Sequence, residues 1–139
     1  AGFTLHSTCS ECKDKNFFTE TFGTNNSGTI IAHTLLSPSD YRNLLRDCAF
    51  MLGLRDPAVS PSPLIGFSVG TSFLNPIIGS DGRTQHDPIS RLEAPYVYRV
   101  NLSNEDEVIK AAQSAVDNGF PAFVPYEYRP EAMLARMCA

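Results

Sequence analysis

The four cysteines of this 139-residue sequence are the first residues that suggest a specific chemistry. Cys9 and Cys12 form a CxxC pair near the start, whereas Cys48 and Cys138 lie far along the chain. An even number of cysteines is typical of disulfide-bonded proteins from oxidising compartments. We therefore predict two disulfides, for which three connectivities are possible. A bridge from Cys9 or Cys12 to Cys48 would tie the N-terminal residues to the body, and a bridge to Cys138 would hold the C-terminus.

Three alternatives to disulfides stay open for the CxxC pair. A redox centre needs the pair to follow a strand and open a helix, where the helix dipole lowers the pKa of the first thiol. A zinc site needs a second pair of ligands, and His6 adds only a loose third donor to Cys9 and Cys12. Free thiols are the third alternative. We predict no metal site and no cofactor from these residues.

A histidine, an arginine and a glutamate form the best candidate for acid–base chemistry. His33, Arg99 and Glu127 fall on neighbouring strands of the sheet predicted below, with Ser68 beside them. A histidine flanked by a carboxylate and a guanidinium works as a general acid or base, or binds an anion. The alternative is a solvated sheet face with scattered polar residues, so we assign no catalytic residue.

Two further groups of residues are candidates for binding. Small residues alternate with apolar ones in a predicted strand, which gives that strand a face that another chain or a ligand can approach closely. A long polar connection over residues 75–95 contains the second group, and such loops are often functional. The candidate binding residues are Gly66, Ser68, Gly70, Ser72, Arg83, His86 and Asp87. The sequence GFSVG at 66–70 has GxSxG spacing, but that motif requires a strand-to-helix turn at the serine.

The elements that must position these residues follow from hydrophobic periodicity and from turn residues. Ser37, Pro38 and Asp40 are typical of a helix start, and Gly53 is typical of a helix end. The predicted elements after residue 28 are a strand at 29–36, a helix at 37–53, strands at 64–73 and 96–102, a helix at 104–118, an edge strand at 121–128 and a helix at 131–137. Short strands are expected around 2–7 and 17–22.

The order β-α-β-β-α-β predicts an α+β fold of the split β-α-β, or ferredoxin-like, type. Four antiparallel strands would form one sheet with both helices on one face. The chain would be a single domain over 1–139, with a cysteine-bearing arm at 1–28, the core at 29–128 and a C-terminal helix at 129–139.

Composition narrows the class of protein. Hydrophobic residues make up 42% and charged residues 19% of the chain, which is typical of a globular domain. The formal net charge of −4 argues against nucleic-acid binding, and no apolar run is long enough to span a bilayer. A location outside the cell follows from the predicted disulfides, with the cytoplasm as the alternative.

Two functions follow from these features. The first is a small soluble secreted protein that binds a protein partner or assembles with itself as an effector, toxin-like molecule or structural subunit. The lack of a catalytic motif favours a non-enzyme. The second is a dimeric α+β barrel enzyme, in which the open sheet face holds His33, Arg99 and Glu127 for acid–base chemistry on a small organic substrate.

Overall fold

A computed structural model of the chain describes residues 4–7, 29–33, 35–54 and 59–138. The chain divides into a smaller unit, Ala1–Tyr41, and a larger unit, Arg42–Ala139. In the smaller unit, strand β1 (Thr4–Ser7) pairs in parallel with strand β2 (Thr29–Ala32), and His6 lies opposite Ile31. The strands expected near 2–7 and 29–36 are therefore present but short. The strand expected near 17–22 lies outside the described residues.

Helix α1 (Pro38–Arg46) begins where the sequence predicts. The Ser37 hydroxyl accepts a hydrogen bond from the Asp40 backbone N–H at 3.1 Å, and it donates to the Asp40 carboxylate at 2.6 Å. This reciprocal capping satisfies a backbone donor that the first turn of a helix leaves without a partner. The helix ends at Arg46 rather than at Gly53, because the next residues enter the sheet.

The larger unit contains a three-stranded sheet in which all strands are parallel. Strands β3 (Phe50–Leu52), β4 (Ser72–Pro76) and β5 (Val97–Val100) lie in that order. Every residue of the central strand β4 is buried. Parallel strands need crossover connections, and their sheets are covered on both faces. The crossovers and flanking segments contain helices α2 (Ser62–Phe67), α3 (Glu105–Asp117) and α4 (Pro130–Met137), with 3₁₀ turns at Asp87–Ile89 and Tyr126–Tyr128.

Two hydrophobic clusters form the core on the two faces of this sheet. One consists of Phe67, Phe73, Ile89 and Val97. The other consists of Leu74, Val100 and Ala115, with further side chains of α3 packed against it. Since β4 contributes to both clusters, the strand is held from above and below, which explains its complete burial.

The prediction of a four-stranded antiparallel, ferredoxin-like sheet is therefore wrong. Its main error is the strand predicted over 64–73, where the chain forms α2, a turn and then the first residues of β4. Alternating small and apolar residues also fit a short helix, because Leu64 and Phe67 recur at helical spacing. Pro63 in the first turn of α2 and Gly70 after its end, at φ +89°, are the asymmetric signals of a helix.

The edge strand predicted over 121–128 is not present either. Residues 121–125 are irregular and lead into the 3₁₀ turn at Tyr126–Tyr128. The Phe123 N–H donates to the Phe67 carbonyl at 2.7 Å, while the rings of Phe120 and Phe123 pack on Tyr96 with centroid distances of 4.8 and 4.6 Å. Pro121 and Pro125 have no N–H to donate, so this segment is held by aromatic packing instead of by a ladder of hydrogen bonds.

The helices predicted near 104–118 and 131–137 are confirmed as α3 and α4. Asn104 caps α3, since its side chain accepts a hydrogen bond from the Glu107 N–H at 3.3 Å. Asn104 is thus the N-cap residue of α3. Among the described residues, no helix combines the length and apolarity that crossing a bilayer requires.

The predicted disulfides at Cys48 and Cys138 are wrong, because both residues are free thiols. Cys48 is half-buried after α1, and burial, with a smaller effect of the Asp47 charge, raises the pKa of its thiol. Cys138 is exposed at the end of α4. Cys9 and Cys12 lie outside the described residues. An oxidising compartment is therefore not supported by Cys48 or Cys138.

Candidate ligand site at the carboxyl edge of the parallel sheet

The carboxyl edge of the three-stranded sheet holds a cavity of about 340 Å³. In open parallel sheets, ligands bind outside the carboxyl ends of the strands, where the connecting segments converge. Here the segments that follow β3 and β4 both reach the cavity. Its lining residues are Val59, Ile78, Gly79, Arg83, Thr84, Gln85 and Asp87. The volume lies at the lower end of the range for small-molecule sites.

A short hairpin forms the outer part of the cavity wall. Ile77 and Thr84 pair as an isolated antiparallel bridge, and the Ile78 N–H donates to the Arg83 carbonyl at 2.9 Å. At the turn, the Arg83 guanidinium donates to the Asp81 carboxylate at 2.7 Å. The backbone N–H of Arg83 donates to the same carboxylate, and these contacts hold the pKa of Asp81 below its usual value. The hairpin thus has an ordered, charged turn.

Asn75 connects this wall to the sheet. It lies in the central strand β4 and is completely buried. Its amide N–H donates to the Thr84 hydroxyl at 3.0 Å and to the His86 carbonyl at 3.3 Å, and its amide oxygen accepts from the His86 N–H at 3.0 Å. A buried polar side chain is costly unless its partners are present. Asn75 therefore fixes the position of residues 84–86 against the sheet.

The segment after the hairpin contains three consecutive buried polar residues, Thr84, Gln85 and His86. The Gln85 N–H donates to the Pro76 carbonyl at 2.7 Å. The carboxylate of Asp87 accepts from the Thr84 N–H at 3.1 Å and stands 3.4 Å from the Thr84 hydroxyl. One oxygen of Asp87 is thus directed at the base of the cavity wall, while the residue itself is exposed.

His86 joins the two loops that border the cavity. Its Nε2–H donates to the Ser60 carbonyl at 2.7 Å, which links the segment after β3 to the segment after β4. Because a carbonyl oxygen only accepts, Nε2 carries the proton. Nδ1 is buried and has no hydrogen-bond partner among the described residues. The ring stands edge-on to Phe73, with a centroid distance of 6.3 Å.

Gly53 provides the close approach at the end of β3. A β-carbon at this position would lie 2.5 Å from the Gln85 side-chain oxygen and 2.7 Å from the ring of Pro76. Only a residue without a side chain fits there. The glycine that was predicted to end a helix instead lets the β3 loop pack against the cavity wall.

Three of the binding residues predicted from the long connection belong to this region. Arg83 and Asp87 line the cavity, and His86 lies buried behind it. Sequence analysis missed Asn75, Thr84 and Gln85. The available signal was a lone asparagine inside an otherwise apolar strand.

The small residues predicted as a binding face do not share a face. Gly66 is buried within α2, Ser68 and Gly70 lie in the following turn, and Ser72 begins β4. The hydroxyl of Ser68 donates to the Ile65 carbonyl at 2.7 Å, and that of Ser72 to the Pro95 carbonyl at 2.7 Å. Because these four residues lie in a helix, a turn and the first position of a strand, they form no small-residue strand face for a protein partner.

The acid–base candidates are also arranged differently from the prediction. Arg99 is exposed on β5, whereas Glu127 lies in a 3₁₀ turn and stands 3.9 Å from Arg91. Within the described ranges, no salt bridge joins Arg99 to Glu127. His33 belongs to the smaller unit, where its ring contacts His6. The open sheet face that was to hold these three residues is not formed.

Comparison with known proteins points to a class of enzyme. The chain is 30% identical over 125 aligned residues to alpha-1,6-mannosylglycoprotein 6-beta-N-acetylglucosaminyltransferase A of Homo sapiens, which covers 77% of this chain and 17% of the relative. It is 26% identical to the B enzyme of Mus musculus, covering 77% and 16%, and 25% identical to the enzyme of Caenorhabditis elegans, covering 76% and 18%. No family model matches the chain.

The chain spans about one sixth of the length of these relatives. The smaller unit has only 41 residues, so a match over 77% of the chain must include most of the larger unit. The similarity therefore extends to the unit that contains the cavity.

These relatives overturn the predicted non-enzymatic secreted binder, and with it the effector and protein-binding roles. The enzymatic alternative agrees better with them. Its α+β barrel, however, does not agree with the parallel sheet.

Proposed function

We propose that this chain is a sugar-binding part of an N-acetylglucosaminyltransferase, and that the cavity at the carboxyl edge of its parallel sheet contacts the N-acetylglucosamine group. The similarity to 6-beta-N-acetylglucosaminyltransferases over 77% of the chain is the observation that carries this proposal. The names of those relatives describe transfer of N-acetylglucosamine to a mannosylglycoprotein.

The lining of the cavity suits a sugar that carries an acetamido group. Val59 and Ile78 are exposed apolar side chains, which offer a surface to the methyl group and to the apolar face of a pyranose ring. Arg83 supplies donors and Asp87 supplies acceptors for hydroxyl groups. Sites of this kind combine apolar walls with a few placed polar groups.

The fixed polar framework behind the cavity supports the same role. Asn75 and His86 hold both bordering loops through buried hydrogen bonds, so the lining is ordered before a ligand arrives. Because the cavity lining is already ordered in the free protein, binding a ligand has a lower entropic cost. An isolated sugar makes few contacts, and we expect a dissociation constant on the order of 1 mM or above.

The test is an NMR titration of the full ¹⁵N-labelled chain with N-acetylglucosamine, glucose and mannose. N-acetylglucosamine should shift the backbone amides of residues 78–87, and glucose, which lacks the acetamido group, should shift them less. Ile78→Ala should weaken binding several-fold. Ile109→Ala is the matched control, since Ile109 is also an exposed isoleucine, lies on α3 and does not line the cavity.

Two outcomes would contradict the proposal. Equal shifts with glucose and N-acetylglucosamine would remove the role of the acetamido group. Stronger shifts with mannose would mean that the cavity binds the mannosyl group of the acceptor instead of the N-acetylglucosamine group.

A further inference from the structure

Two histidines of the smaller unit meet at the end of its parallel strand pair. His6 lies in β1, and His33 follows directly after β2. Nδ1 of His6 and Nε2 of His33 are 2.8 Å apart, and both residues are half-buried. Because the parallel register of β1 and β2 is fixed by backbone hydrogen bonds, the two side chains are brought together by the strands.

The two imidazole rings lie edge to edge and nearly in one plane. Their planes differ by 17°, and their centroids are 5.2 Å apart. That separation equals the 2.8 Å between the nitrogens plus one short ring radius on each side. Face-to-face stacking would bring the centroids closer than this while leaving the nitrogens apart. The lone-pair direction of the accepting nitrogen therefore points at the other ring.

Two ring nitrogens joined by a hydrogen bond are close enough to bind one transition-metal ion after both rings turn toward it. Neutral imidazole nitrogen is a common ligand of Zn²⁺, Ni²⁺ and Cu²⁺. Zinc binds such nitrogens at about 2.0–2.1 Å, so a tetrahedral ion needs them only about 0.5 Å further apart than they are here. A small rotation of either side chain provides that space.

We propose that His6 and His33 form a bis-imidazole site for a divalent transition-metal ion such as Zn²⁺. The ion binds Nδ1 of His6 and Nε2 of His33, both as neutral imidazoles. The ring that donates the hydrogen bond in the metal-free pair releases that proton to solvent and takes one up on its other ring nitrogen, so both rings stay neutral. Among the described residues, no group of three or more His, Cys, Asp or Glu side chains is placed to hold a metal ion. Water fills the remaining coordination positions, and the site binds more weakly than a four-ligand structural site.

Position in the fold supports this assignment independently. The pair lies at the carboxyl ends of two adjacent parallel strands, the edge at which parallel α/β structures place their ligands. From the sequence, His6 was a candidate only as a third metal ligand beside Cys9 and Cys12. The partner that the strands bring to it is instead a second histidine, 27 residues away.

The test is isothermal titration of the full chain, with its thiols reduced, against ZnCl₂. One zinc ion should bind per chain, and the affinity should rise with pH as bound protons are removed. His6→Ala and His33→Ala should each lower the affinity at least tenfold. The double variant Cys9→Ser, Cys12→Ser is the control and should keep the affinity within twofold.

A second measurement covers the case in which a histidine variant does not fold. The chain has three histidines, so its ring signals in NMR form three sets. Zinc should shift the ring signals of His6 and His33 together and leave those of the buried His86 unchanged. Absence of zinc binding, zinc shifts that omit either member of the pair, or binding that survives both histidine variants and disappears in the cysteine variant would each overturn the site.

Discussion

The segments before and after strand β4 are alike in sequence and opposite in role. Residues 62–71 directly precede β4 and residues 77–89 directly follow it, and both segments contain several glycine, serine and threonine residues. The first segment buries an apolar side chain, Phe67, and brings backbones close together. The second buries polar side chains, which are matched to hydrogen-bond partners around Asn75.

This difference shows how the large unit separates stability from binding. Apolar burial before β4 holds the sheet against α2. Polar burial after β4 costs desolvation, which the network around Asn75 offsets, and it leaves polar atoms at the edge of a cavity. Substitutions in the two segments should therefore have different effects on stability and on sugar binding.

The largest effect is expected from Phe67→Ala. Phe67 is fully buried in the cluster with Phe73, Ile89 and Val97, so its removal leaves a cavity in the core. We expect a loss of about 3–5 kcal/mol in the free energy of unfolding. Urea denaturation measures this loss. Ile109→Ala on the exposed face of α3 should change the stability by no more than about 0.5 kcal/mol; an equal loss in both variants would show that Phe67 is not a core residue.

Asn75→Leu should affect both stability and binding. The substitution keeps the size of the side chain but leaves the His86 N–H and its carbonyl buried without partners. We expect a loss of about 2–3 kcal/mol in unfolding free energy. In the folded variant, residues 84–87 lose their anchor, and the shifts caused by N-acetylglucosamine should weaken.

Asn43→Leu is the matched control for Asn75, because Asn43 is exposed on α1. It should leave the free energy of unfolding and the sugar titration nearly unchanged. Full stability of Asn75→Leu would mean that the buried hydrogen bonds do not order the cavity wall.

A pair of glycine substitutions compares the two segments directly. Gly70 and Gly82 both have positive φ, at +89° and +80°, which L-residues adopt at a cost. A β-carbon at Gly70 would lie 2.8 Å from the Phe120 carbonyl oxygen, whereas one at Gly82 meets nothing within 4 Å. Gly82→Ala should cost about 1 kcal/mol, and Gly70→Ala about 2 kcal/mol or more. Thermal unfolding checks the order, and equal losses would contradict close packing before β4.

The smallest effect is expected at the exposed turn of the hairpin. The pKa of Asp81 is lowered by its contacts with Arg83, so these contacts persist at neutral pH and are lost as pH falls through the folded-state pKa, below the usual carboxyl range. Below that point the Arg83 amide signal should shift in NMR, while the core signals stay unchanged. Asp81→Asn should remove this pH-dependent shift. A simultaneous change at Asn75 would show that the turn and the buried network are coupled.

Local signals in the sequence were sufficient for some elements. Ser37, Pro38 and Asp40 predicted the start of α1, because a capping box satisfies its own backbone donors and needs no distant partner. The periodicity of residues 105–117 predicted α3 for a similar reason. The strand predicted at 96–102 is present as Val97–Val100.

Elements whose nature depends on their neighbours were not predictable in this way. Residues 64–73 alternate as a strand does, and only the packing of Phe67 under the sheet favours the helix. The predicted edge strand at 121–128 does not form, because aromatic contacts to Tyr96 hold residues 120–123 in an irregular conformation. With a helix in place of the first of these predicted strands and no strand at the second, the sheet is parallel rather than antiparallel.

The sequence by itself determined the starts of α1 and α3 and one strand of the large unit. It also identified Arg83, His86 and Asp87 as candidate binding residues. Their residue types carry the necessary chemistry wherever the chain places them. Only the tertiary structure decided that the sheet is parallel, that Asn75 anchors the cavity wall and that His6 meets His33. Each of these depends on strand register and on contacts between residues far apart in the chain, and such contacts leave no periodic signal in the sequence.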